Sequence, residues 1–179
     1  MRLLFFSDVH GMPSALELLL RQVDRLCPNR IVLLGDILHH GPVFGGSGAF
    51  DSGRVAEALN SRKDDIIAVR GNCDSEADQS RLAFPILAEQ IETEYDGRHF
   101  FFTHGDFWNE RRPPKLPAGS ILVHGHTHVP ESKLLGNGMT VFNPGSIALP
   151  RSGFPPTFGL YDDGELTIRD LADGDPIAL

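Results

Sequence analysis

Five short apolar runs in this chain each lead into a side chain that can bind a metal ion. Leu3 to Phe6 is followed by Asp8 and His10, Ile31 to Leu34 by Asp36, and Ile66 to Val69 by Asn72. Phe100 to Thr103 leads into His104, and Ile121 to Val123 into His126 and His128. Apolar runs this short, bounded by polar residues and glycine, read as buried strands. In open α/β sheets a site forms outside the carboxyl ends of the strands, so these loops can converge on one place. Gly11, Gly35, Gly71, Gly105 and Gly125 adjoin the polar residues and permit tight turns or close backbone approach.

The segments between the runs fill in the topology. Ser14 and Glu17 spell an S-x-x-E capping box. After it, Leu16, Leu19, Leu20, Val23 and Leu26 share one helical face that ends before Pro28. Gly35 to Gly53 reads as a loop and Arg54 to Asn60 as a short helix. This β-α-β-α-β order with apolar strands predicts a parallel sheet buried on both faces. From about Ile86 the pattern changes, with hairpin signals at Asp96-Gly97, Asn137-Gly138 and Asp163-Gly164. The second half is therefore expected to be β-rich and largely antiparallel. With no linker and no repeat in view, residues 1–179 read as a single α/β domain with helices outside two strand layers.

Composition narrows the function classes. A formal net charge of −8 leaves no basic stripe for a nucleic-acid backbone, so nucleic-acid binding is not expected. No stretch reaches the roughly 18 apolar residues that span a bilayer. The apolar start breaks off at Ser7-Asp8, too early for a signal-peptide core, which points to a cytoplasmic protein. Cys27 and Cys73 are the only cysteines, too few for a disulfide framework or a Cys-rich zinc module.

Any one of the polar residues has an ordinary reading. Asp8 or Asp36 could cap a turn, Asn72 could be a turn residue, and each histidine could be hydrogen-bonded in the core. Together, at five strand ends, they argue for a mixed metal site. Imidazole suits zinc, manganese, iron or nickel, and the oxygen donors suit harder cations. Two ions about 3.5–4 Å apart can clamp the attacking and leaving oxygens of a phosphoryl group, with one carboxylate bridging. Asp36 is the best bridge. Two divalent ions, two carboxylates and a hydroxide leave about one positive charge, enough to attract a phosphate oxygen to an acidic protein.

The motifs Asp8-Val9-His10, Gly35-Asp36, Gly71-Asn72, Thr103-His104-Gly105 and Gly125-His126-Thr127-His128 resemble the series of the calcineurin-like metallophosphoesterases. Asn143-Pro144-Gly145-Ser146 resembles a turn of the small bacterial YfcE-like phosphodiesterase branch. The resemblance implies a four-layer α/β/β/α sandwich. It implies two divalent ions, with manganese favoured and zinc, iron, nickel or cobalt as alternatives. One would be held by Asp8, His10, Asp36 and His128, the other by Asp36, Asn72, His104 and His126. A bridging hydroxide would then attack phosphorus in line. The implied partner is a small phosphodiester, and similar proteins often form homo-oligomers.

One departure from the family pattern concerns the leaving group. Many members have histidine after the motif asparagine, oriented by the next aspartate, whereas this chain has Asn72-Cys73-Asp74. A thiol near pKa 8.5 is a poorer acid than an imidazole of about 6.5. His40, ahead of Gly41-Pro42, is the candidate replacement, and His39 reads as a solvated neighbour. Arg70 is a candidate contact to a phosphoryl oxygen, and His124 reads as a support for the ligands. Phe107, Trp108 and Arg111 to Lys115 are candidates for the cleft border, and Cys27 reads as core. A phosphomonoesterase, or a non-catalytic binding scaffold like the small retromer subunit, stands as the alternative.

Overall fold

The computed structural model describes residues 1–39 and 49–179. Two five-stranded sheets face each other. The first is built around β1 (Arg2–Phe6), β2 (Arg30–Leu33) and β3 (Ile66–Ala68), which run parallel. The second contains β4 (Gln90–Tyr95), β5 (Arg98–Thr103), β6 (Ile121–Val123), β7 (Glu131–Leu134) and β8 (Thr140–Asn143). The chain then returns to the first sheet with β9 (Thr157–Asp162), antiparallel beside β1, and β10 (Glu165–Asp170). Strand orders are β10-β9-β1-β2-β3 and β4-β5-β6-β8-β7.

The period-two alternation of β1 explains the layering. Leu3 and Phe5 point between the sheets, where they meet Val32, Phe100, Phe102, Phe142 and Tyr161. Leu4 and Phe6 point the other way, onto α1 (Pro13–Leu26) and α2 (Ser52–Asn60). A strand that is apolar on both faces can only be central. Phe5 sits edge-on to Phe102 and Phe142, with ring centroids 5.9 and 5.8 Å apart. Truncating it to alanine would cost about 3–5 kcal/mol. On the outer face of the second sheet, Trp108 and Leu116 pack over Phe101, Leu122 and Val141.

Some expectations change. The Ser14–Glu17 capping box does not form, because Pro13 already occupies the first helical turn and Met12 is the N-cap. Glu17 instead pairs with Arg54 across to α2, at 2.6 Å. Cys27 is exposed, not core: it ends α1 in a left-handed conformation, φ 46°. The three hairpin signals fall between β4 and β5, β7 and β8, and β9 and β10. The second sheet is nevertheless mixed, since β5, β6 and β8 run parallel. The strand centres, Phe-Phe-Phe and Ile-Leu-Val, are buried on both faces, which favours parallel pairing inside; the antiparallel partners β4 and β7 are the edges. The carboxyl ends of both parallel sets open on the same side of the molecule.

Candidate metal centre

The chain turns sharply as it leaves these strands. Asp8, His10, Asp36, His126 and His128 all have left-handed backbones, with φ between 47° and 66°. Each such residue costs about 1–2 kcal/mol, strain that a fold keeps where function needs it. The turns are tied across the sheets. Asp8 N–H donates to the Gly35 carbonyl and His10 N–H to that of Asp36. Gly125 N–H donates to the carbonyl of His104, and His126 N–H to Asp8 Oδ2 at 3.0 Å. A side chain at Gly125 would overlap Ser7 and Asp8, so only glycine lets the two sheets' loops meet this closely.

The imidazoles are locked by their other nitrogen. His10, His104 and His128 direct Nδ1 at the carbonyls of His39, Leu34 and Leu149, at 2.9, 2.7 and 2.7 Å. A carbonyl only accepts, so Nδ1 carries the proton and Nε2 presents a lone pair to the site. These lone pairs converge on other acceptors. His10 Nε2 lies 3.4 Å from His128 Nε2. His104 Nε2 lies 3.0 Å from Asn72 Oδ1 and 3.2 Å from His126 Nδ1. Asp8 Oδ1 is buried, has no hydrogen-bond partner, and sits 3.2 Å from His128 Nε2. Asp36 Oδ2 faces both groups, 3.7 Å from His10 Nε2 and 3.6 Å from His104 Nε2. Acceptors packed this way repel unless a cation lies among them. Ligands about 2.0–2.2 Å from an ion stand roughly 3.0–3.5 Å from one another, so the donor set fits divalent metal.

Electrostatics follow from burial and these contacts. Burial alone would push the Asp8 carboxyl up, but the closely packed imidazoles of His10, His128 and His104 prevail and hold it far below the usual range. For His10, burial opposes charge, and contact with Asp8, the His39 carbonyl and Asp36 overrides it, raising its pKa. Burial, then the neighbouring His104, lowers that of His126. Burial and the facing Asp36 push the Cys73 thiol up to about 12.

His10, Asp36, Asn72, Cys73, His126 and His128 line a cleft of about 540 Å³. The Calcineurin-like phosphoesterase superfamily domain model matches residues 1–164. The chain belongs to that superfamily. It is a metal-dependent phosphoesterase. The phosphodiesterase YfcE of Escherichia coli K12 is 39% identical over 178 residues, 99% of this chain and 96% of the relative. The solved structure of E. coli YfcE, a phosphoesterase, superposes with a TM-score of 0.95 at 38% identity, covering 99% of this chain and 97% of that one. Vacuolar Protein Sorting 29 from Cryptosporidium parvum shares the fold alone, at 19% identity and a TM-score of 0.56, over 93% and 94% of the two chains.

All seven side chains expected as ligands in this phosphoesterase meet at the cleft or directly beneath it. Asp74 does not reach it. Its buried carboxylate accepts the N–H groups of Asp36, Ile37 and Gly71, at 2.8, 2.9 and 2.8 Å. It therefore positions the Asp36 loop and does not orient residue 73. Cys73 lines the cleft, its N–H donating to Asp36 Oδ1 at 2.9 Å. His40 lies outside the described residues, and His39 is exposed with its carbonyl on His10. Arg70 is not among the cleft-lining residues; its guanidinium meets Glu89 and the Asp74 carbonyl, both at 3.3 Å. Trp108 packs on Phe101 and donates to Gln90, while Phe107 lies under Arg112; neither lines the cleft. Arg111 does line it.

Sequence reading missed the work of the Asn143–Ser146 turn. The Asn143 amide donates to the Gly125 carbonyl and Thr127 Oγ1, both at 2.9 Å. Ser146 Oγ donates to the Asp8 carbonyl at 2.9 Å and accepts from Ala148 and Leu149. Leu149 in turn orients His128. One turn thus braces the His126–His128 loop, Asp8 and a histidine tautomer together. Its resemblance to a family turn was the available signal.

Proposed function

We propose that the chain is a phosphodiesterase working with two divalent ions in one domain formed by residues 1–179. Asp8, His10, Asp36 and His128 would hold one ion, and Asp36, Asn72, His104 and His126 the other. The observation that carries this reading is Asp36 Oδ2, which lies almost equally far from His10 Nε2 and His104 Nε2 and so faces both donor groups. Bound ions of this kind lower the pKa of water toward neutrality and offset charge on phosphoryl oxygens. The protein contributes the rest: carbonyl-locked imidazoles, a deprotonated Asp8, and backbone ties that hold these groups before substrate arrives. The mixed oxygen and nitrogen donors favour manganese over ions that prefer sulfur.

A diester is favoured over a monoester by the balance of charge. A dianionic monoester calls for extra cations at the reacting phosphate, such as a pair of arginines, whereas among the described cleft-lining arginines Arg111 faces Glu110 and Arg151 alone has no carboxylate partner. The name of the YfcE relative supports the same choice. A thiol stands at position 73 where many relatives carry an imidazole, and it is the weaker acid, so turnover should lean on good leaving groups. Rates across aryl diesters should fall steeply as leaving-group pKa rises; a flat dependence contradicts this. Titrating metal-stripped protein with manganese, followed by calorimetry, tests the centre itself. Two ions per chain are expected, and a single ion at saturation would contradict the two-ion site.

A further inference from the structure

The cleft is not uniformly charged. Asp106 and Glu110 line it, and Glu110 is partnered by Arg111 at 3.7 Å. Arg151 lines the cleft from the segment that follows the Asn143–Ser146 turn. Its backbone is fixed: Arg151 N–H donates to the His128 carbonyl at 3.0 Å, and Phe154 N–H closes a turn on the Arg151 carbonyl at 3.2 Å. That turn runs through left-handed Ser152 and Gly153, φ 56° and 80°. Among the described residues, Arg151 is the cleft-lining cation with no carboxylate partner, since Arg111 faces Glu110 and Arg70 lies elsewhere with Glu89.

We propose that Arg151 is a specificity-determining residue that receives a second, non-reacting anionic group, a phosphate or carboxylate, in one arm of the diester. The inference rests on the phosphodiesterase reading and names the substrate class within it. A cleft of about 540 Å³ is far larger than one phosphoryl group, so the arms of the substrate lie inside it. Arg151, tethered through its backbone to His128, and Asp106 both line the cleft, so its lining carries both signs. An arm bearing negative charge is drawn toward Arg151 and repelled by Asp106, which orients the substrate as well as selecting it. A guanidinium suits this role because its forked donors match the geometry of carboxylate or phosphate oxygens.

The test is a set of p-nitrophenyl phosphodiesters whose other arm is neutral, carries a carboxylate, or carries a quaternary ammonium. Each is assayed with manganese-loaded wild type, Arg151→Ala, Arg151→Lys and Arg151→Glu, with thermal melts confirming that every variant is folded. Arg151→Ala should lose about tenfold in kcat/KM on the carboxylate arm, through KM, and change less than about threefold on the neutral arm. Arg151→Lys should recover part of that loss, and Arg151→Glu should turn the preference toward the ammonium arm. Equal losses on all three arms, or none on the carboxylate arm, would overturn the assignment. Failure of wild type on the neutral-arm diester would instead contradict the phosphodiesterase reading, which keeps the two failures apart.

Discussion

Asp8, Asp36 and His104 lie at the floor of the cleft with almost no exposed surface, whereas Asp106, Arg111 and Arg151 stand at its rim in solvent. On the floor nearly every side chain has a second tie: a carbonyl on Nδ1, a backbone N–H on a carboxylate, a glycine cleared to admit a neighbour. At the rim the ties are made by the backbone, and the charged ends are left to water or to one another. The contrast assigns different tasks. A rigid floor holds charges that would repel in isolation and so fixes the chemistry, while a solvated rim can differ between relatives without disturbing it.

Breaking the floor should have the largest effect. Asp8→Asn replaces the orphaned buried oxygen's charge and should lower kcat about 10³-fold, with loss of bound manganese measured by elemental analysis. Retained metal and activity would show the floor to be structural only. One layer further down, Asp74→Ala strands three buried N–H groups and should cost about 3 kcal/mol in denaturant unfolding. A change below about 1 kcal/mol would mean that water replaces the carboxylate.

Away from the floor, the effects become smaller and depend on conditions. Glu131, at the start of β7, has its pKa raised to about 7, first by burial and then by the neighbouring Glu110. The folded state therefore holds a proton that the unfolded chain releases near pH 4.5, so this contribution to stability is complete below that pH. It is lost as pH rises through about 7. Glu131→Gln should flatten the fall in Tm between pH 5.5 and 8 by about 2–4 °C, and an unchanged slope would place the titration elsewhere. Smallest of all, Arg70→Ala should leave kcat/KM within about twofold, because its partner is Glu89 and not the cleft. A tenfold loss would return Arg70 to the site.

The floor was also the more legible region in sequence. Apolar runs such as Leu3 to Phe6 announce strands because both faces must be buried, and the donors that follow them announce the site. The left-handed backbone of Asp8 and His126 left no such mark, since aspartate and histidine tolerate it without requiring it. Parallel pairing of β5, β6 and β8 was hidden because hairpin turns advertise only the strands they join. The family pattern assigns Asp74 to orienting residue 73, yet its carboxylate points back to the Asp36 loop, 38 positions away. Arg151 carried no signal at all. Its importance comes from a backbone bond to His128 and from the carboxylates that occupy the other arginines.

The most direct test of the central claim is hydrolysis of bis(p-nitrophenyl) phosphate by purified protein, stripped of metal and then supplied with manganese, beside an Asp36→Asn control. The account predicts activity that returns with manganese in the wild type and stays at least 10²–10³-fold lower, by order of magnitude, in the folded control. A folded wild type that hydrolyses the diester with no divalent ion, or equally well without the Asp36 carboxylate, would contradict it.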